Sequence, residues 1–156
     1  MGYAIAQQFL AACDSVVLCA RCERKLEGAI ASLREEFPYA KVAGVSGWGA
    51  KFIPTAATHK TSKTGLTALT ASLAQELRAA GLTSIGVHNL SPGLVLTGLL
   101  LDGASPAARR FFNALAEEPE TDAAELVPRM RVVQGMEQTI AYLSPASAFA
   151  WHHIYD

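Results

Sequence analysis

The stretch Tyr3–Val45, YAIAQQFLAACDSVVLCARCERKLEGAIASLREEFPYAKVAGV, decides the fold. Ile5, Ala6, Phe9 and Leu10 recur at helical spacing, and Asp14 with Ser15 then break the pattern. Val16–Ala20 is an uninterrupted apolar run, as expected of a parallel strand covered on both faces, and Arg21 closes it. Glu23–Phe37 returns to helical spacing with Leu26, Ile30, Leu33 and Phe37 on one side. Pro38 ends that helix, because the residue before a proline is pushed out of helical geometry. Lys41–Val45 is a second strand. Helix, strand, helix, strand is the alternation of a doubly wound α/β domain, in which each helix crosses from one parallel strand to the next.

Beyond Val45 the alternation stops. Ser46–Thr58 is rich in glycine and small residues and predicts a loop. His59–Ala80 predicts a long helix with Leu66, Leu69, Leu73 and Leu77 along one side, and Gly81 supplies its C-terminal cap. Ser84–Leu90 predicts another buried strand, stopped by Ser91, Pro92 and Gly93. Ser105 followed by Pro106 is a helix start, since serine caps and proline fits the first turn, with Phe111, Phe112 and Leu115 on the apolar face. Asp122–Val133 predicts a further helix, kinked at Pro128. The tail Thr139–Asp156 is apolar and aromatic but too short to span a bilayer; it packs on the core or lies against a peripheral membrane surface or a partner.

At 156 residues the chain is long enough to bury about 70% of its unfolded surface in one domain. Hydrophobic residues make up 51% and charged residues 17%, and the mean hydropathy is +0.22, so some apolar surface is expected to stay exposed. A net charge of -1 leaves no basic footprint, so nothing suggests nucleic acid as a partner and none is expected. Cys13, Cys19 and Cys22 are an odd set without a framework of paired spacings, so reduced thiols are expected. Cys19 and Cys22 form a C-x-x-C, but a zinc site wants four ligands and Cys19 falls inside a strand, so neither metal nor redox use is favoured. The Asn89-Leu90-Ser91 sequon falls at a strand end and is read as chance.

Met1-Gly2-Tyr3-Ala4-Ile5-Ala6, with a strand ending Cys19-Ala20-Arg21, resembles the start of a short-chain dehydrogenase/reductase just after its glycine-rich turn. His59-Lys60-Thr61-Ser62-Lys63 falls where that superfamily has Tyr-x-x-x-Lys, and Ser46 lies thirteen residues before His59. Asn89–Thr97 contains the Pro-Gly-x-Val-x-Thr segment as Pro92, Gly93, Val95 and Thr97. Val87–Gly93, Leu99–Leu101, Pro119–Thr121, Leu126–Val133 and Tyr142–Pro145 resemble the chlorophyll(ide) b reductases in particular.

The resemblance implies an incomplete Rossmann-like domain, a doubly wound parallel sheet with flanking helices spanning residues 1–156. Residues 1–45 would be the remnant of the cofactor half, and 46–156 the catalytic half with the substrate-lid region. It implies NADPH as cofactor, chlorophyll(ide) b as substrate and the chloroplast as location. Gly2 would be the last glycine of the turn that lets the backbone approach the pyrophosphate. Arg21, supported by Arg24, would grip the 2′-phosphate bidentately, where an acidic residue would select NAD. Pro92, Gly93, Val95 and Thr97 would hold the nicotinamide amide. Ser46 would bond the substrate carbonyl, and Lys63 would bind the nicotinamide ribose and lower the pKa of the proton donor one turn away. That donor is tyrosine in the superfamily and His59 here. The superfamily also carries the earlier glycines and a first strand before the equivalent of Met1. Between Val45 and Ser46 it carries two more strands with their helices. Two functions are therefore expected in competition: an NADPH-dependent chlorophyll(ide) b reductase, or a catalytically inactive shortened relative that associates with an intact reductase subunit, the reading favoured for this chain's own activity.

Overall fold

The computed structural model describes residues 1–46 and 56–142, with the side chains of 56–60, 62, 63, 99 and 114 outside that description. Along the chain run α1 (Gly2–Ala11), β1 (Val16–Ala20), α2 (Glu23–Glu36), β2 (Val42–Ser46), α3 (Ala56–Ala79), β3 (Val87–Ser91), α4 (Gly98–Leu101), α5 (Pro106–Leu115), α6 (Pro119–Val132) and β4 (Glu137–Ala141). The fold is α/β with parallel strand pairs, as the alternation predicts. Among the described residues the strands form two separate two-stranded sheets, β1 with β2 and β3 with β4.

The chain divides into two compact units. The first contains 1–51 and 95–127, the second 52–94 and 128–156. Residues 95–127 therefore group with the first four elements of the chain, and the division passes through α6 at Pro128.

In the first unit α1 and α2 both pack on the β1–β2 pair. Ala6, Leu10, Leu33 and Val42 form a buried cluster, with Val16, Leu18, Ile30 and Phe37 packed against it. Arg34 ties the helix to the sheet by donating from Nη2 to the Val42 carbonyl at 2.8 Å. Strand coverage corrects one expectation. Val17 is 69% exposed and Val45 and Cys19 are also exposed, so β1 and β2 are covered on one face rather than two. The apolar run shows that a strand can be buried on both sides, but coverage depends on neighbours distant in sequence, and among the described residues only one side has them.

In the second unit α3 packs on β3 and, more lightly, on β4. Its buried positions are Thr70 and Ala74, whereas Leu66, Leu69 and Leu73 are exposed. A sheet of two strands is only about 10 Å wide and cannot cover a broad apolar stripe, so the helix seats its small-residue ridge. The Thr70 hydroxyl donates to the Leu66 carbonyl at 2.9 Å and lies 3.1 Å from Asn89 Oδ1, fixing α3 on β3.

Local signals place the element ends. Gly81 at φ 72 closes α3, with Leu82 N–H donating to the Leu77 carbonyl, a hydrogen-bonded stop that a left-handed residue permits. Ser105 Oγ accepts from Ala108 N–H at 3.2 Å, and Pro106 opens α5. The predicted loop 46–58 is corrected at both ends, since Ser46 belongs to β2 and α3 begins at Ala56; 47–55 lie outside the described residues. The strand β4 was not expected, because Glu137-Gln138-Thr139 carries no apolar run and only Ile140 is buried. The rest of the aromatic tail, from residue 143 onward, lies outside the described residues. Among the described residues no helix is long and apolar enough to cross a membrane.

Candidate cofactor site

In open α/β sheets ligands bind beyond the carboxyl ends of parallel strands, where helix N-termini present unbonded N–H groups. The first unit has such an edge. Strands β1 and β2 are parallel in the register Val16↔Val42 through Ala20↔Ser46, so they end side by side. Arg21 follows immediately in a bend and Cys22 then caps α2 without a side-chain hydrogen bond. Arg21 and Arg24 are exposed and make no ion pair or hydrogen bond with a described residue. A dianionic group placed there would meet guanidinium donors with nothing to displace.

Gly2 opens α1, whose first turn has neither a side-chain cap nor an acidic residue. Where a Cβ would stand on Gly2 the space is open to 4 Å, so a ligand could approach the backbone. These features fit the phosphates of a dinucleotide. At the opposite ends of the same strands a cavity of about 480 Å³ is lined by Cys13, Ser15, Phe37, Tyr39 and Lys41, away from the arginines.

Val95 is buried, bridges to Glu117, and is followed by Leu96, whose N–H donates to the Glu117 carbonyl at 2.9 Å. Thr97 is half-buried and caps α4 with extended backbone, its hydroxyl not engaged as a cap. Gly2, Arg21, Ser46, Val95 and Thr97 all belong to the first unit.

The remaining predicted residues belong to the second unit. His59 and Lys63 lie four residues apart on α3, one helical turn, and their side chains are outside the described set. Pro92 is half-buried just after β3, and Gly93 has φ 84, a conformation that glycine adopts without steric cost. The Pro-Gly-x-Val-x-Thr motif is thus shared between the units. The structure brings Ser46 alongside the end of β1 next to Arg21, a neighbour that its spacing before His59 did not indicate.

Asp122 was missed by the sequence reading. It is fully buried, and neither carboxylate oxygen has a hydrogen-bond partner. Burial first, and the nearby Glu117 second, push its carboxyl up to about 6, against a lowering by the Met1 amino group. The only signal in the sequence is an acid set beside Ala123, Leu126 and Val127 on the buried side of α6. Cys13, Cys19 and Cys22 are free and exposed, and among the described residues no group of three or more potential ligands could hold a metal.

No family model matches the chain. It is 46% identical over 100 residues to "Probable chlorophyll(ide) b reductase NYC1, chloroplastic" of Oryza sativa subsp. japonica, covering 64% of this chain and 19% of that protein. It is 27% identical to "Chlorophyll(ide) b reductase NOL, chloroplastic" of Arabidopsis thaliana, covering 85% of this chain and 63% of the relative. That second alignment runs over 218 positions, more than the 156 residues available, so the relative carries internal positions that this chain lacks. The chain spans about a fifth of the length of the first curated relatives it matches. Among solved structures, an NADPH-bound short-chain oxidoreductase from Pseudomonas aeruginosa PAO1, described as containing an atypical catalytic center, superposes with a TM-score of 0.55 at 16% identity, over 93% of each chain. That likeness shows the fold.

Proposed function

Because this chain belongs to the short-chain dehydrogenase/reductase superfamily, alongside the chlorophyll(ide) b reductases, we propose that it binds NADPH and serves the reduction of the C7 formyl group of chlorophyll(ide) b to hydroxymethyl in the chloroplast. The observation that carries the cofactor reading is Arg21, an unengaged guanidinium directly beyond a parallel strand and beside the end of its neighbour.

When bound, NADPH supplies the hydride. The chain's own residues supply position and charge. The open first turn of α1 at Gly2 would receive the pyrophosphate and Arg21 with Arg24 the 2′-phosphate. By the superfamily's motifs, Pro92, Gly93, Val95 and Thr97 would hold the carboxamide and Lys63 the ribose. His59 takes the sequence position at which the superfamily has the tyrosine that donates the proton to the carbonyl oxygen. A positioned donor is worth about 10²- to 10⁴-fold, so turnover without the tyrosine is expected to be slow.

The second reading, a silent relative that associates with an intact reductase subunit, rests on a specific observation. The described strands form two pairs where a doubly wound domain has one sheet, and the chlorophyll(ide) b reductase alignment carries positions that this chain lacks. One experiment separates the readings. The purified chain is titrated with NADPH by nicotinamide fluorescence and then assayed for reduction of chlorophyllide b, alongside His59→Tyr. Binding with a slow rate that His59→Tyr raises at least tenfold supports the reductase. Binding with no turnover in either protein supports the silent relative, and no binding removes the cofactor site.

A further inference from the structure

Ser46 is exposed at the end of β2 and is in register with Ala20, the residue before Arg21. Adjacent strands lie about 4.8 Å apart, which puts the serine within side-chain reach of the arginine's surroundings. Its direction follows from Gly44. Side chains alternate along a strand, so Ser46 shares the face of Gly44, and a Cβ on Gly44 would meet Leu26 Cδ2 at 3.1 Å. That face is therefore covered by α2. Ser46 lies one pleat further toward the carboxyl end, where α2 begins behind Cys22 with no side-chain cap. Ser46, Arg21 and the uncapped first turn of α2 thus meet at one corner of the first unit.

We propose that Ser46 is a specificity residue for the cofactor: its hydroxyl donates to the 2′-phosphate beside Arg21 and raises the preference for NADPH over NADH. The inference rests on the NADPH reading above and replaces the carbonyl-binding role that the spacing before His59 implied. A hydroxyl is suited to this place because it donates to a dianion without adding charge, and a hydrogen bond to a charged acceptor is among the stronger kinds.

The test uses the full chain as wild type, Ser46→Ala, Ser46→Thr and Arg21→Ala, each titrated with NADPH and with NADH by fluorescence, with circular dichroism to check that all four fold alike. Ser46→Ala is expected to weaken NADPH about tenfold and NADH less than twofold, Ser46→Thr to restore NADPH binding, and Arg21→Ala to weaken NADPH more than Ser46→Ala does. If Arg21→Ala loses NADPH selectively while Ser46→Ala binds both cofactors like wild type, or loses both equally, the assignment of Ser46 is wrong and the cofactor site stands. If wild type binds neither cofactor, the cofactor site and the assignment fall together.

Discussion

The two parallel strand pairs are built of strands of the same length but differ in what covers them. Over β1 and β2 lie two helices, and between them the cluster of Ala6, Leu10, Leu33 and Val42 is closed to water. Over β3 and β4 the main cover is α3, which buries Thr70 and Ala74 while Leu66, Leu69 and Leu73 stay exposed, Leu69 at 61%. Leucine content alone does not make a core: α3 carries more leucine than α1, yet Leu66, Leu69 and Leu73 lie off the contact. Burial requires apolar residues to face a surface wide enough to meet them, and the β1–β2 pair offers that because two helices close over one face.

The sharpest way to break the comparison is Leu33→Ala. Leu33 is fully buried at the centre of the first cluster, and truncating such a leucine costs about 2–5 kcal/mol. Amide exchange of β1 and β2 is expected to accelerate strongly while β3 and β4 keep their rates. Equal acceleration in both pairs would mean that the chain unfolds as one cooperative body.

Asp122 sets a second difference, because it places an unpaired carboxyl inside the first unit. Its pKa is raised from 3.8 to about 6 in the folded chain, so folding binds a proton that the unfolded chain has already lost between those values. Stability from this group is therefore highest below pH 4, falls as pH rises toward 6, and stays reduced above it. The shift corresponds to about 3 kcal/mol. Asp122→Asn is expected to raise the unfolding free energy from urea titration at pH 7.5 by up to that amount, and with it the midpoint, and to change both little at pH 4. A midpoint that rises equally at both pH values would trace the gain to packing instead of ionisation.

How much of this could be read in advance differs between elements. The order from α1 to β2 was legible because helical spacing, a short apolar run and Pro38 each act locally, and the caps at Gly81 and Ser105 are single-residue chemistry. What was not legible depends on partners distant in sequence. The open face of Val17 and Val45, the exposed leucines of α3 and the polar strand β4 are set by which neighbours are present. The site divides in the same way. The position of Arg21 at the carboxyl end of β1 could be read from the apolar run before it, whereas Ser46 has one neighbour by counting along the chain and another by strand register. Asp122 carried no motif, since an acid in the first turn of a helix is ordinarily solvated and favourable there.

The smallest expected effect concerns how the first unit joins its helix to its sheet. Beyond α1, Cys13 has φ 64, and Asp14 N–H donates back to the Phe9 carbonyl at 3.0 Å, so the chain turns sharply into β1 through a left-handed residue. The second unit makes the corresponding stop after α3 with Gly81, which has no Cβ to strain. For an L-residue with a side chain the left-handed region costs about 1–2 kcal/mol, part of which glycine's greater freedom in the unfolded chain offsets. Cys13→Gly is therefore expected to stabilise the first unit by less than about 1 kcal/mol, a rise of a few degrees in its thermal midpoint. Gly81→Ala should move the second unit in the opposite direction. If Cys13→Gly lowers the midpoint, the exposed Cys13 side chain makes contacts at the end of α1 that outweigh its backbone strain.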